Sequence, residues 1–405
     1  MDLARACSAS IDGTVATFIC GRKHPRGAPK VFISRRKGAR AARMDPVMHA
    51  LLWILAAIAA LTVAAVAHFA FWGWIYRVRP DSDALLTATC SDGWRLAVAR
   101  FRPAASSNRP PVILCHGLGA NRLNLCLPGA HSLAGFLRAR GHEVFAVDLR
   151  GCGDSSKAPP HRARTWDFDD HVLRDAPAAL ELVLRETGQP RAFWVGHSMG
   201  GMIGLALAEG VHREKLAGVA ALGSPTRWQF HRPVLGRLLS LSLALTWGKV
   251  SHSRWMVRVI APYLGFFPLP LGDMAINPQN IALPLYRRVA YSVLADSSRA
   301  MLRQFASWFR RRAWDLRSPP TDLRAGLAQI QCPVLLVGGT LDVLAPPQAM
   351  EGTLEDLGSA DKTMVLFGKA RGDAQDYGHG DLIFGRCAPV EIFPEVARWI
   401  DSHAK

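Results

Sequence analysis

The chain has 405 residues, of which 49% are apolar, and it carries a net charge of +17 at pH 7. The apolar fraction is enough for a sizeable core, and the length fits one large domain with additions. The charge is concentrated in residues 1–45, with ten Lys or Arg against three Asp, and in residues 224–325, with fifteen against four. Because the rest is close to neutral and shows no zinc-finger, RRM or helix-turn-helix pattern, no nucleic acid partner is expected.

The eight cysteines have spacings that match neither a zinc site nor a redox motif. The sequence therefore predicts no metal site and no cofactor. Free thiols and disulfides both remain compatible with the cysteine pattern, and the oligomeric state cannot be inferred.

The N-terminal segment, residues 1–46, is basic and has no hydrophobic period. Two interpretations remain open: a disordered basic tail, or an extension that precedes a true start at Met44 or Met48. A real basic tail would place the following domain outside the cytoplasm, whereas a later start would place it inside.

Residues 47–76 contain no Asp, Glu, Lys or Arg and are long enough to span a hydrocarbon core of about 30 Å. Trp72, Trp74 and Tyr76 stand where an interfacial aromatic belt is expected, and Arg77 follows. A cleaved signal peptide would have a shorter apolar run and a small-residue cleavage site. The pattern favours a single-pass membrane anchor.

From residue 84 onwards, short apolar strands alternate with helical segments, which predicts an α/β fold with a mostly parallel sheet covered by helices on both faces. The predicted strands are residues 84–90, 94–100, 111–115, 143–148, 192–195, 216–222, 333–337 and 363–367. The predicted helices are residues 125–140, 169–187, 347–357 and 389–403.

Residues 224–325 interrupt this alternation, and they are rich in Trp, Phe, Leu and Arg with Pro and Gly breaks. They are expected to form a helical cap inserted between two core parts, residues 84–223 and 326–405. Such folds build their ligand pockets from insertions at the carboxyl ends of the strands.

The segment Gly196–Gly200 (Gly-His-Ser-Met-Gly) lies between a predicted strand and a helical run of small residues. A G-x-S-x-G sequence in this context is a nucleophile elbow, in which a strained turn holds the serine above the sheet. The elbow predicts Ser198 as the nucleophile.

A serine nucleophile needs a base, and the base needs an orienting carboxylate, which in this kind of fold follow in the order Ser, Asp, His. Asp342 follows a predicted strand, and His379 lies in the Gly-rich loop after the last strand. We therefore predict a catalytic triad of Ser198, Asp342 and His379. Asp376 and Asp381 are alternative candidates for the acid.

The tetrahedral intermediate of such a reaction needs two N–H donors for its oxyanion. The backbone amides of Met199, directly after the nucleophile, and of Leu118, in the loop after a buried strand, are expected to supply them. His116 and His197 neighbour these amides and are expected to be structural.

These motifs resemble those of the α/β-hydrolase superfamily. The resemblance covers residues 84–403 apart from the cap and is carried by the following segments: His116-Gly117, Asp148–Ser155, Gly196–Gly201, Asp342 and His379. The segment His379–Gly385 resembles the acid lipases, while Asp148–Ser155 is typical of esterases and monoacylglycerol lipases. The resemblance implies ester hydrolysis through an acyl-enzyme without a cofactor.

An aromatic, basic cap beside a membrane anchor favours lipid-like acyl esters as substrates. The cap leucines are equally compatible with an ordinary folded lid over an unspecified ester. An acyltransferase with the same triad and a non-catalytic membrane-bound binding protein are the alternatives. Removal of residues 1–79 is expected to leave a soluble enzyme that is active on short esters.

Overall fold

The computed structural model describes most of the chain, with gaps. The described residues are 8–11, 14–17, 45–78, 81–105, 108–155, 165–228, 236–237, 240, 243, 253–266 and 276–404. They fall into two units, Met1–Ala67 and His68–Lys405, which we describe separately.

The first unit contains a short antiparallel hairpin of β1 (Ser8–Ile11) and β2 (Thr14–Thr17), where the sequence predicts no regular structure. Thr and the β-branched Ile and Val of this stretch favour extended backbone. The remainder of the predicted basic tail, up to residue 44, lies outside the described residues.

Helix α1 (Pro46–Tyr76) matches the predicted segment 47–76 to within one residue. Its 31 residues correspond to a length of about 46 Å. Within the described residues it is the one helix long and apolar enough to cross a membrane, a criterion that signal sequences also meet. Its last residues, from His68, belong to the second unit.

The second unit is built on an eight-stranded sheet in the order β12-β11-β8-β7-β5-β6-β4-β3. Its strands are β3 (Ala84–Thr89), β4 (Arg95–Phe101), β5 (Val112–Cys115), β6 (Val144–Val147), β7 (Ala192–His197), β8 (Leu216–Leu222), β11 (Val334–Gly339) and β12 (Lys362–Phe367). The β3–β4 and β4–β6 pairs are antiparallel and the other pairs are parallel. The predicted fold class is thus confirmed.

Two apolar clusters lie against the two faces of this sheet. The central strands β5, β6 and β7 are buried along their whole length, as expected for parallel strands covered on both sides. Neighbouring residues point to opposite faces: Trp194 packs in one cluster and Phe193 in the other. The cysteines of the described residues are free thiols.

Helices cover both faces of the sheet, and further helices lie in the segment between β8 and β11, which we call the cap. In chain order they are α2 (Leu123–Cys126), α3 (Leu133–Ala139), α4 (Phe168–Asp170), α5 (Ala176–Thr187), α6 (Met199–Glu209), α7 (Ser253–Ile260), α8 (Leu283–Ser292), α9 (Arg299–Arg311), α10 (Leu323–Gly326), α11 (Pro347–Asp356), α12 (Asp381–Phe384) and α13 (Ala388–His403). The cap helices α7, α8 and α9 and the small hairpin β9 (Asp315–Arg317) and β10 (Pro320–Asp322) lie between strands β8 and β11.

Two predicted helices differ from the observed elements. The predicted helix 125–140 is divided into α2 and α3, because Pro128 lacks an N–H and Gly129 adopts a φ of 102°. The predicted helix 169–187 contains one π-helical turn, His171–Asp175, before α5 begins.

Candidate active site

Ser198 lies at the tight turn between β7 and α6. Its φ of 55° and ψ of −122° form a strained conformation for a residue with a side chain. A Cβ atom on Gly196 would lie 2.2 Å from the carbonyl carbon of Gly200, and one on Gly200 would lie 2.2 Å from the carbonyl oxygen of Cys115. The two glycines therefore permit the close approach that this turn requires.

The imidazole of His379 contacts the carboxylate of Asp342, with 2.8 Å between Nδ1 and Oδ2. Both residues are buried. The other oxygen of Asp342 accepts hydrogen bonds from the amides of Leu344, at 2.8 Å, and Ala345, at 2.7 Å. Because the carboxylate accepts the Nδ1 proton, Nε2 of His379 is left as the basic nitrogen.

The two alternative acids have other partners. Asp376 accepts hydrogen bonds from the Thr340 hydroxyl and the Lys369 amide. Asp381 accepts bonds from the Gly378 amide and from the Asn280 side chain, which ties the loop of His379 to the cap. Burial raises the pKa of Asp381.

Ser198 and His379 line the same cavity, of about 280 Å³, at the carboxyl ends of the central strands. Its wall is mostly apolar and comes largely from the cap. The apolar lining includes Met202, Trp228, Leu243, Ile276, Val289, Val293, Phe305, Phe309 and Phe384. Within the described residues, the Ser198 hydroxyl makes no hydrogen bond. Catalytic hydrogen bonds are often long before a substrate binds.

The two amides predicted to hold an oxyanion lie beside the nucleophile. Leu118 lines the cavity, and Met199 is the first residue of α6. A Cβ atom on Gly117 would lie 3.1 Å from Cβ of Ser198, so the loop after β5 runs directly against the elbow. In the described part of the chain, neither the Leu118 nor the Met199 amide donates a hydrogen bond to another residue.

His116 connects this loop to the residue after Asp148 through its two ring nitrogens. The Leu149 amide donates to its Nε2 at 3.1 Å, so Nδ1 carries the proton and donates to the Gly117 carbonyl at 2.9 Å. Burial is the main cause that lowers the pKa of His116 to about 4, which keeps the ring neutral.

His197 connects two loops of the site, a role that the sequence did not reveal. Its Nδ1 lies 3.1 Å from Oδ1 of Asn124, and its Nε2 lies 3.1 Å from the carbonyl oxygen of His379. The same oxygen of Asn124 accepts the Gly117 amide at 3.3 Å. Burial, followed by the charge of His379, lowers the pKa of His197 to about 3. Asn124 carried no signal in the sequence.

A family model described as the alpha/beta hydrolase fold matches residues 110–245. The chain is 23% identical to human lipase member K over 376 residues, covering 80% of this chain and 88% of the lipase. It is 27% identical to the monoglyceride lipase of Saccharomyces cerevisiae over 303 residues, covering 73% and 85%. A solved structure of a soluble variant of that yeast enzyme with a substrate analogue superimposes with a TM-score of 0.54 and 19% identity, covering 82% of this chain and 98% of the other. The chain has the α/β-hydrolase fold, and these similarities to lipases support a carboxylic ester hydrolase.

Proposed function

We propose that this chain is a membrane-anchored serine hydrolase that cleaves carboxylic esters of lipid-like molecules through an acyl-enzyme on Ser198. The observation that carries the proposal is one arrangement of side chains. Ser198 stands at a strained elbow on the wall of an apolar cavity, and the same wall carries His379, whose Nδ1 lies 2.8 Å from Asp342.

In the acylation step, Nε2 of His379 takes the proton of the Ser198 hydroxyl while Oγ attacks the carbonyl carbon of the ester. The carbonyl oxygen becomes an oxyanion, which the amides of Leu118 and Met199 stabilise. The intermediate collapses as the bond to the alcohol oxygen breaks. His379 returns the proton to that oxygen, the alcohol leaves, and the acyl group stays on Ser198.

In the deacylation step, His379 takes a proton from a water molecule, whose oxygen attacks the acyl carbon. The second oxyanion collapses, the bond to Oγ breaks, and His379 returns the proton to Ser198. The carboxylic acid is released. Throughout, Asp342 holds the ring in the tautomer with hydrogen on Nδ1 and stabilises the imidazolium.

The preference for lipid-like acyl groups is supported by the wall of the cavity. Cap residues Trp228, Phe305 and Phe309 and core residues Met202 and Phe384 present apolar surface beside the nucleophile. Acyl chains gain about 0.8 kcal/mol for each buried CH₂ group, so a longer chain should bind and react better until the cavity is full.

Membrane anchoring is supported by the length and composition of α1. The exposed Trp74 near its end suits a membrane interface, and the yeast monoglyceride lipase structure that superimposes on this chain is described as a soluble variant.

The first test measures labelling of the full-length protein by a fluorophosphonate probe and hydrolysis of p-nitrophenyl esters. Ser198→Ala should abolish both, with the melting temperature retained. Ser402→Ala, an exposed serine on α13, is the matched control and should react like the wild type. Labelling that persists in Ser198→Ala would place the nucleophile elsewhere.

The second test measures kcat/KM for acetate, butyrate and octanoate esters of the same phenol. We expect an increase from acetate to octanoate. A maximum at acetate would refute the lipid-like substrate while leaving the serine mechanism in place.

A further inference from the structure

The last residues of helix α1, His68–Tyr76, are packed against the cap. Tyr76 is 7% exposed, and its ring stacks on Trp72 with 5.5 Å between centroids and 8° between planes. The ring of Tyr291, on cap helix α8, lies 5.6 Å from that of Tyr76. These side chains form one buried cluster with residues from the neighbouring cap elements: Ala261, Leu264 and Ala290.

A hydrogen bond joins the end of α1 to α8. The hydroxyl of Ser292 donates to the carbonyl oxygen of Tyr76 at 2.8 Å. This carbonyl belongs to the last turn of α1, where backbone acceptors have no partner within the helix. The contact is close, because a Cβ atom on Gly73 would lie 3.2 Å from the hydroxyl oxygen of Tyr291.

The same end of α8 is bonded to the loop that follows β5. The side-chain amide of Asn121 donates to the Ser292 carbonyl at 2.8 Å, and its backbone amide donates to the Val293 carbonyl at 3.0 Å. The Ala295 amide donates to the Gly119 carbonyl at 2.8 Å. The loop Gly117–Asn121 and the end of α8 thus run side by side, like two short strands.

Val289 of helix α8 and Val293, the residue that follows the helix, also line the cavity. Helix α8 therefore lies between the end of α1 and the loop that carries the Leu118 amide, and it also borders the cavity. A displacement of α8 would move the loop, since three hydrogen bonds link them.

We infer that the end of α1 is a positioning element of the active site, acting through Ser292 and Asn121 on the loop of Leu118. The inference rests on the proposed role of the Leu118 amide in holding the oxyanion. A donor that is displaced by a fraction of an ångström stabilises the transition state less, while the ground state of the substrate is affected little. Loss of the contact should therefore lower kcat more than it changes KM.

The inference changes the expectation for truncation. Residues 1–79 include Trp72 and Tyr76, whose removal would uncover the cap cluster and leave the Ser292 hydroxyl without its acceptor. The last two turns of α1 are thus part of the folded second unit.

The test uses the full-length protein in detergent micelles with p-nitrophenyl butyrate. Trp72→Ala and Ser292→Ala should each lower kcat about three- to tenfold, with KM changed less than twofold, because each weakens a contact of modest energy. Trp74→Ala is the matched control, since Trp74 is 79% exposed on the same helix, and it should keep the wild-type kcat. Ser292→Thr retains the hydroxyl and should restore most of the activity lost in Ser292→Ala.

Wild-type kcat in Trp72→Ala and Ser292→Ala would overturn the inference, and so would an equal loss in Trp74→Ala. Such a result would leave the proposed function in place, provided that Ser198→Ala abolishes hydrolysis. Hydrolysis that persists in Ser198→Ala would instead refute the proposed function and leave the packing of α1 on the cap unaffected.

Discussion

His197 contacts two loops of the candidate site, and the loss of these contacts should lower kcat by a predictable amount. A neutral imidazole has one N–H, yet both ring nitrogens of His197 face oxygens that only accept, on Asn124 and on the backbone of His379. With a pKa of about 3, the ring is neutral at physiological pH. The ring thus contacts the loop of His379 on one side and Asn124, which binds the Gly117 amide, on the other. Its single proton can be donated to one of these two oxygens at a time.

The perturbation is His197→Phe, which keeps a ring of similar size and removes both polar contacts. With one proton on the ring, His197 donates one hydrogen bond, which contributes about 0.5–1.5 kcal/mol, and leaving its partner oxygen unsatisfied adds about 1–3 kcal/mol. If roughly 1.4–2.7 kcal/mol of this is lost in the transition state, kcat falls about 10- to 100-fold. His197→Gln keeps one donor and should give an intermediate kcat.

The assay is steady-state hydrolysis of p-nitrophenyl butyrate, together with the melting temperature. His142→Phe is the matched control: His142 is also buried, but it bonds to Asp401 and does not line the cavity. It should lower the melting temperature and leave kcat within twofold of the wild type. Wild-type kcat in His197→Phe, or an equal loss in His142→Phe, would refute the positioning role of His197.

Three further predictions concern the proposed triad, helix α1 and a buried acid. Asp342→Asn should lower kcat by about 10³- to 10⁴-fold in steady-state hydrolysis, since His379 loses the acceptor that fixes its tautomer; a loss below tenfold would contradict the role of Asp342. Removal of residues 1–67 should keep kcat, whereas removal of residues 1–79 should lower kcat and the melting temperature, and equal activity of the two would contradict the packing described for α1. Glu209 has a buried oxygen with no partner within the described residues, and burial, aided by the charge of Asp322, raises its pKa to about 9. The folded state therefore keeps a proton that the unfolded state releases above pH 4.5, and stability is lost at about 1.4 kcal/mol per pH unit from there towards pH 9. Glu209→Gln should remove this loss, so its gain in melting temperature should grow from pH 5 to pH 8; a gain independent of pH would refute the reasoning.

The fold was predictable because its signals are local. The strands β5, β7 and β8 each appear as short apolar runs, and the glycines around Ser198 are required by contacts within a few residues or with the adjacent strand. The candidate site was predictable in part for the same reason. Asp342 and His379 each follow a recognisable strand, and the structure brings these two side chains together. Their catalytic roles, and those of Leu118 and Met199, remain predictions.

The supporting contacts were not predictable, because they join segments far apart in the chain through backbone oxygens. His197 bonds to a carbonyl 182 residues away, and Ser292 bonds to one 216 residues away. Any residue can supply a carbonyl oxygen, so the acceptor leaves no trace in the sequence. Asn124 and Asn121 are ordinary polar residues until the cap and the core are placed side by side.

The cap is hydrogen-bonded to two loops of the candidate site. The cap lies on the loop of Leu118 through Asn121 and on the loop of His379 through Asn280, so it touches both sides of the cleft above Ser198. Within the residues that the structure describes, the end of α1 is connected through Ser292 and Asn121 to the first of these loops. A perturbation of α1 should therefore affect oxyanion stabilisation without changing the pairing of His379 with Asp342, and the pH dependence of kcat should keep its shape while its height falls.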